Sequence, residues 1–185
     1  MGQRMFVAVV PPPGVVEDLS DVLVPREGMR WVDPAQWHLT LAFMASVPEA
    51  REDELVERLG GAAARVAPFD LALSGAGNFP DAARAKVLWL GVEESAHPSL
   101  ERLAKGARAA ASVSGASPDG RAFVPHLTLA RLRRPIEATR WLRVLETYRS
   151  PAWQVAEVEV VASHLGEGAK RRPRHELLAR LPLRG

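Results

Sequence analysis

The chain has 185 residues, 47% hydrophobic and 25% charged, which suits one buried core under an ordinary charged surface. It contains no cysteine, which excludes disulfide scaffolds, thiol nucleophiles, cysteine-based zinc sites and iron–sulfur clusters, and fits a reducing cytoplasm. The net charge of +2 is unevenly spread: residues 1–120 carry 11 basic and 16 acidic side chains, residues 121–185 carry 13 and 6. A basic C-terminal third points to a polyanionic partner, unless the imbalance is only a chance of surface composition. No apolar run reaches the roughly 18 residues of a membrane span, and Pro11-Pro12-Pro13-Gly14 interrupts the best of them. The same break argues against a signal peptide, and Phe6 breaks the myristoylation pattern.

In chain order, an apolar strand at Phe6 to Val10 precedes a helical stretch near Val15 to Val24 and then a strand carrying Trp37-His38-Leu39-Thr40-Leu41-Ala42-Phe43. A helix follows at Ala50 to Val66, with Leu55, Leu59, Ala62 and Ala63 at helical spacing, and the strand Phe69 to Leu73 closes this half. The second half repeats the order. Val87 to Val92 is a strand and Pro98 to Val113 a helix with proline in its first turn. Pro125-His126-Leu127-Thr128-Leu129-Ala130-Arg131 is a strand, Ile136 to Tyr148 a helix, and Val155 to Ala162 a strand. A last short strand is expected from Glu176 to Leu183. Glycine and proline clusters at Pro11 to Gly14, Gly75 to Pro80 and Ser114 to Gly120 predict loops, and Gly166 to Pro173 a basic one. No linker divides the chain, so residues 1–185 are expected to form a single domain of two pseudo-symmetric lobes. The expected fold is α+β (mixed α/β), with antiparallel-rich sheets facing a central cleft and helices outside.

The two copies of His-Leu-Thr-Leu stand 88 residues apart, His38 to His126. On a strand the side chains alternate, so His38 and Thr40 share one face, His126 and Thr128 another, with leucines behind. Two imidazoles of reference pKa about 6.5 can hold one neutral and one protonated ring together, a base and an acid. Two hydroxyls can donate to the non-bridging oxygens of a phosphate between them. That set suits metal-free phosphodiester cleavage. One such segment alone is more often structural, and duplication could carry over a structural histidine as well. Metal ligation is the other functional reading. It lacks a third ligand beside either motif, where only Asp33 and Asp119 stand near.

On these residues the chain resembles the 2H phosphoesterase superfamily, and within it the RNA 2′,3′-cyclic phosphodiesterases, also called 2′–5′ RNA ligases. The likeness spans nearly the whole chain: Arg4-Met5-Phe6-Val7-Ala8 resembles the opening strand and Trp31 to Phe43 the first motif. Gly75 to Pro80 with Val87-Leu88-Trp89 resembles the central loop and strand, and Phe123 to Arg131 the second motif. The resemblance implies hydrolysis of an RNA terminal 2′,3′-cyclic phosphate to a 2′-phosphomonoester. In it His38 protonates the leaving ribose oxygen, His126 activates water, Thr40 and Thr128 hold phosphate oxygens and Arg131 neutralises charge. It implies no metal and no cofactor, and RNA ends or nucleotides bearing the cyclic phosphate as partners; beside it, composition sets the expectation of no membrane and of a cytoplasmic place in RNA processing, and a monomer is expected. The chain departs from the family pattern at Phe43-Met44-Ala45, where members often read Phe-Leu-Gly, and at His175, where many carry tyrosine; both bear on substrate fit.

Two other functions stay open: an enzyme of the same superfamily acting on small cyclic or 2′–5′ linked nucleotides, and an RNA-end binding module with weak catalysis. Among aromatic residues, Trp31 is the candidate for stacking a base. Strand parity assigns Trp37, Phe43 and Phe123 to the core. Lys170-Arg171-Arg172-Pro173-Arg174 and Arg131, Arg133 and Arg134 could steer RNA. Ser74 and Ser163 read as turn formers or partners of the histidine rings, and His97 and His164 carry no expected role.

Overall fold

A computed structural model of the protein describes residues 2–168 and 172–185. The elements run β1 (Gly2–Val9), α1 (Pro13–Leu23), β2 (Leu39–Pro48), α2 (Glu52–Ala63), β3 (Phe69–Leu71), β4 (Leu73–Phe79), β5 (Ala85–Val92) and α3 (His97–Val113). They continue with β6 (Leu127–Ile136), α4 (Thr139–Glu146), β7 (Trp153–Val155), β8 (Glu157–His164) and β9 (Arg174–Pro182). Seven strands form one antiparallel sheet in the order β4-β5-β6-β2-β1-β8-β9, and β3 pairs with β7 apart from it. The fold is mixed α+β with a large antiparallel sheet.

The two halves do not fold separately. The middle of the sheet is β6-β2, one strand from each half, joined by the single pair Leu39↔Leu127. On one side β1 of the first half is flanked by β8 of the second. On the other side β5 of the second half is flanked by β4 of the first. The first half therefore lends β4 to the second, and the second lends β8 to the first. The exchange explains why Phe69 to Leu73 is not one strand. At Ala72 the chain leaves its pairing with β7 and turns into β4, which pairs with β5.

One face of the sheet is covered by helices. Val15, Leu19 and Leu23 of α1, Leu55, Leu59 and Ala63 of α2, and Leu100, Leu103, Ala104, Ala107 and Ala111 of α3 recur at helical spacing and are buried. They meet Met5, Val7 and Val9 of β1, Leu39, Leu41 and Met44 of β2, and Leu88 and Leu90 of β5. Each of the buried leucines contributes roughly 1.5–3 kcal/mol of transfer free energy. No helix is long and apolar enough to cross a membrane among the described residues. Among the described residues the other face carries a small buried apolar cluster of Phe6, Ala8 and Val161 with Phe43 against it, and Phe79 and Trp89 beside His126.

Three expectations are corrected. Pro13 and Gly14 open α1 rather than lying in a loop, because a proline in the first turn lacks only a donor that would be unpaired anyway. Gly75 to Phe79 is strand, and its glycine has a packing reason: a Cβ on Gly77 would stand 2.1 Å from Cζ2 of Trp89, whose indole lies over it. Ile136 ends β6, and the helix after it is confined to Thr139–Glu146.

Candidate active site

His38 follows a short 3₁₀ turn over Pro34–Gln36, which Asp33 caps by accepting from Ala35 N at 3.0 Å. Trp37 is buried and anchors that turn, and β2 begins one residue after His38. His126 likewise stands one residue before β6. The two rings are held alike. Nδ1 of His38 lies 2.7 Å from the Gln36 carbonyl, and Nδ1 of His126 lies 2.6 Å from the Val124 carbonyl. A carbonyl oxygen can only accept, so each Nδ1 carries a proton and each Nε2 is left to exchange one.

Leu39 and Leu127 are direct partners, so the antiparallel register sets His38 opposite Thr128 and Thr40 opposite His126. The two motifs are brought together at the seam of the sheet. Thr40 and Thr128 are partly buried, and neither hydroxyl has a partner among the described residues.

A β-bulge in each motif strand changes what stands next to the threonines. Ala8 pairs with Thr40 while Val7 pairs with Ala42, and Trp89 pairs with Thr128 while Leu88 pairs with Ala130. The extra residue reverses parity beyond it. Phe43 therefore joins the open face, paired with Phe6, and the expectation that it lies in the core is overturned. Arg131, at the equivalent place in the other strand, pairs with Val87 and stands on the threonine face. The trace of both bulges is the doublet Leu41-Ala42 and Leu129-Ala130, consecutive buried apolar residues where alternation calls for one in, one out.

The ring environments differ. His38 stacks on Phe6, with centroids 4.6 Å apart and planes at 20°. His126 meets Phe79 edge-on at 5.2 Å and Trp89 at 5.6 Å. A third imidazole, His175 of β9, stands edge-on to His38 at 5.7 Å and to Phe6 at 5.0 Å. No local pattern marks His175 as a site residue; its position depends on β9 adding to β8, where it pairs with Ser163. Arg4 lies 4.4 Å over the Phe43 ring.

Burial pulls the His38 pKa from 6.5 to about 4, and the positive charges of His175, Arg131 and His126 push the same way against the Gln36 carbonyl. Burial also lowers His126, with Arg131 adding to it, and lowers His175. The Arg131 guanidinium is itself pushed down by partial desolvation and by Arg4, without leaving its charged range. The site is thus poor in negative charge, and no group of three or more His, Cys, Asp or Glu able to hold a metal ion occurs among the described residues.

Other candidates fall elsewhere. Trp31 is half-buried, packs edge-on to Trp141 at 5.4 Å and donates from Nε1 to the Arg26 carbonyl. Phe123 packs against the core. Ser74 and Ser163 lie within β4 and β8, and the ring nitrogens go to carbonyls instead of to them. His97 opens α3, and His164 pairs with Glu176 at 2.8 Å. Of the basic stretch, Lys170 and Arg171 lie outside the described residues. Arg172 stands 3.8 Å from Asp33, and Arg174 is held by Glu167 at 3.0 Å and Glu176 at 3.4 Å. Arg133 and Arg134 are exposed on β6.

A family model described as the 2′-5′ RNA ligase superfamily matches residues 11–167. An RNA 2′,3′-cyclic phosphodiesterase of Geobacillus stearothermophilus is 34% identical over 160 residues, 84% of this chain but 48% of that protein, so the chain spans about half the length of that relative. One of Aquifex aeolicus is 34% identical over 134 residues, 72% of this chain and 70% of that one. The crystal structure of E. coli LigT in its apo form superposes with a TM-score of 0.77 at 30% identity, covering 100% of this chain and 99% of that one.

Proposed function

This chain belongs to the 2′-5′ RNA ligase superfamily, and we propose that within it the protein hydrolyses RNA terminal 2′,3′-cyclic phosphates to 2′-phosphomonoesters by paired-histidine acid–base catalysis without a metal. The observation that carries this is the identical mounting of two imidazoles at the sheet seam, each with Nδ1 tied to a carbonyl and each opposite the other motif's threonine. In this reading a water attacks phosphorus and gives its proton to Nε2 of His126. The phosphorus–O3′ bond breaks, and the leaving O3′ takes a proton from Nε2 of His38. Thr40 and Thr128 donate to the non-bridging oxygens, and Arg131 offsets charge on the phosphoryl group. Residues 1–185 act as one domain, a monomer in the cytoplasm, with one motif from each lobe facing the cleft and no cofactor.

The electrostatics add a condition. A general acid must be protonated, and His38 in the empty site resists protonation down to about 4. The negative charge of bound phosphate offsets the surrounding cations and favours the imidazolium. The acid therefore forms with the substrate in place, and the acid pKa governing kcat is expected to lie above the one governing kcat/KM.

The test is ³¹P NMR of a defined oligoribonucleotide ending in a 2′,3′-cyclic phosphate. The protein should convert the cyclic resonance to that of a 2′-monoester, in the presence of EDTA as well. His38→Ala and His126→Ala should each slow turnover by about 10²–10⁴-fold. Near-normal turnover in either variant, or loss of activity on chelation, overturns the mechanism; tight binding of the RNA without turnover marks a binding module instead.

A further inference from the structure

Each motif histidine stands in a cluster of three aromatic rings. In one half His126 lies 5.2 Å from Phe79 and 5.6 Å from Trp89, which are themselves 5.4 Å apart, centroid to centroid. In the other half His38 lies 4.6 Å from Phe6 and 5.7 Å from His175, which are 5.0 Å apart. The clusters match in number and spacing and differ in chemistry: the walls of His126 do not titrate near neutral pH, whereas one wall of His38 is a second imidazole. We propose that His175 is a positioning residue for His38: its ring completes the cluster that orients the acid, and its nitrogens compete with His38 for the proton that enters with the phosphate. The inference rests on the reaction proposed above and adds to it a group that sets the pH range of the acid step.

The positioning part follows from the ring geometry. Phe6 lies nearly parallel to the His38 ring, at 20°, and His175 stands across it at 78°. Nδ1 is tied to the Gln36 carbonyl. Held by a stacked ring, a crossed ring and one nitrogen, the imidazole has little freedom to swing Nε2 away from the reacting oxygen. His175 comes from β9, two strands beyond β1. It can reach Phe6 because β8, which lies between, presents small side chains there: Val161 pairs with Phe6, and Ser163 pairs with His175.

The competition follows from the charges around the pair. Arg131 and His126 face His38 across the seam, and Arg4 of β1 lies over the Phe43 ring. The nearby carboxylates are engaged elsewhere. Glu159 of β8 pairs with Arg180 at 3.3 Å, and Asp33 beside the 3₁₀ turn pairs with Arg172 at 3.8 Å. Arg174 and Glu176 alternate to the other face of β9 and pair there with Glu167 and His164. Among the described residues neither His38 nor His175 has a carboxylate partner. Burial lowers both, His38 to about 4. An entering phosphate therefore offers its charge to two imidazoles that cannot readily be charged together, and the first to take a proton opposes the second. Only the state with the proton on His38 is productive. The base needs no proton and stands among rings that hold none; the acid needs one and stands beside a rival.

The experiment replaces His175 by phenylalanine, which keeps a ring without a proton site, and by alanine, which keeps neither, and records kcat against pH for a nucleoside 2′,3′-cyclic phosphate. Activity falls with rising pH as His38 loses its proton. In His175→Phe that limb should move upward by about one pH unit, so that kcat well above it exceeds the native value by up to about tenfold. His175→Ala should lower kcat across the profile by about tenfold with little change in KM, because the acid ring has lost a wall. A limb that His175→Phe leaves in place, or a native kcat in His175→Ala, overturns the proposal. Should His175→Ala melt below the assay temperature, the limb of His175→Phe decides alone. If the native protein does not hydrolyse the cyclic phosphate, the proposed reaction falls, and NMR of ¹³C-labelled histidine in the presence of inorganic phosphate still decides the pairing. There Cε1 of His38 should titrate at higher pH in His175→Phe than in the native protein; identical titrations reject it.

Discussion

The two halves mount the same histidine–threonine pair in the same way and differ in the side chains that wall it. Across the open face, two rows of cross-strand neighbours can be laid side by side. In the His38 lobe they read Phe43–Phe6–Val161 and Thr40–Ala8–Glu159. In the His126 lobe they read Arg131–Val87–Phe79 and Thr128–Trp89–Gly77. Histidine, threonine, the bulge and the carbonyl that fixes Nδ1 are the same in both. The aromatic support has moved from one row to the other, and the sixth residue counted from the histidine, Phe43 in one half, is the cation Arg131 in the other. Equivalent proton-transfer groups need equivalent mounting, whereas a phosphate ester presents two different ends, water on one side and ribose on the other. In the proposed reaction, symmetric mounting meets the first demand and asymmetric walls the second.

The largest effects should come from the part that is shared. Replacement of His38 or His126 by alanine removes one proton transfer, and the double variant should lose little more than the worse single one, since the two groups serve one transition state. Independent, multiplying losses measured in single-turnover assays would separate the lobes' roles and break the comparison. Next come the threonines. Thr40→Val and Thr128→Val keep shape and remove one donor each, and each should lower kcat on the order of 10²-fold with a smaller change in KM. If only one of them matters, the phosphate sits in one lobe and the pseudo-symmetry is structural.

A smaller effect should distinguish the walls. Gly77 is open to the indole of Trp89, which contacts His126. Gly77→Val drives a branched side chain into that indole, so Trp89 must move; about 1–3 kcal/mol of stability should be lost, and kcat with it. The equivalent neighbour in the other lobe is Glu159, opposite the small Ala8, where no ring needs the space. Glu159→Ala removes a partly buried pair to Arg180 at 3.3 Å and touches neither ring, so it should leave kcat within about twofold while costing about 1 kcal/mol of stability or less. Thermal melts and steady-state rates on the two variants check the pair; equal losses would show that Trp89 does not support His126.

How much of this was legible in the chain follows from how local each feature is. The doubled His-x-Thr segments, their flanking strands and the faces of α2 and α3 are set by residues within a few positions of one another, and they can be read directly. β4 pairs with β5 only 8 to 19 residues on, a local hairpin, whereas β8 pairs with β1 across 151 to 157 residues, which no periodicity reports. The bulges defeat parity because a single extra residue reverses every side chain beyond it, which moved Phe43 from the expected core to the open face. Leu41-Ala42 and Leu129-Ala130 are the visible trace, and repetition of that doublet in both halves makes it readable. His175 is the opposite case: it sits beside His38 only because β9 adds to β8, no local spacing marks it, and only the resemblance, which sets it where many members carry tyrosine, pointed to it.

The smallest expected effect concerns stability and tests whether the site is as poor in negative charge as its cations suggest. The His38 pKa is depressed in the folded protein, to about 4, against 6.5 when unfolded. The unfolded chain therefore binds a proton first as pH falls, and stability present above pH 6.5 is lost progressively down to about 4. His126 and His175 are lowered as well and act in the same direction. The carboxylates of Glu54, Glu137 and Glu176 are also lowered, but from 4.5, so their loss begins only as pH falls toward that value. The window between pH 6.5 and 5 belongs to the histidines. For a chain of this length each kcal/mol lost corresponds to about 2–4 °C in Tm. Tm should fall by a few degrees from pH 7 to pH 5 and recover in part on addition of inorganic phosphate, because an anion between the rings favours their protonated forms. His38→Gln keeps a polar ring-sized group without the charge and should flatten the slope. A slope that is unchanged by this substitution and indifferent to phosphate would mean that the burial and the neighbouring cations at His38 do not depress its protonation, and that the two rings differ less in charge than in their walls.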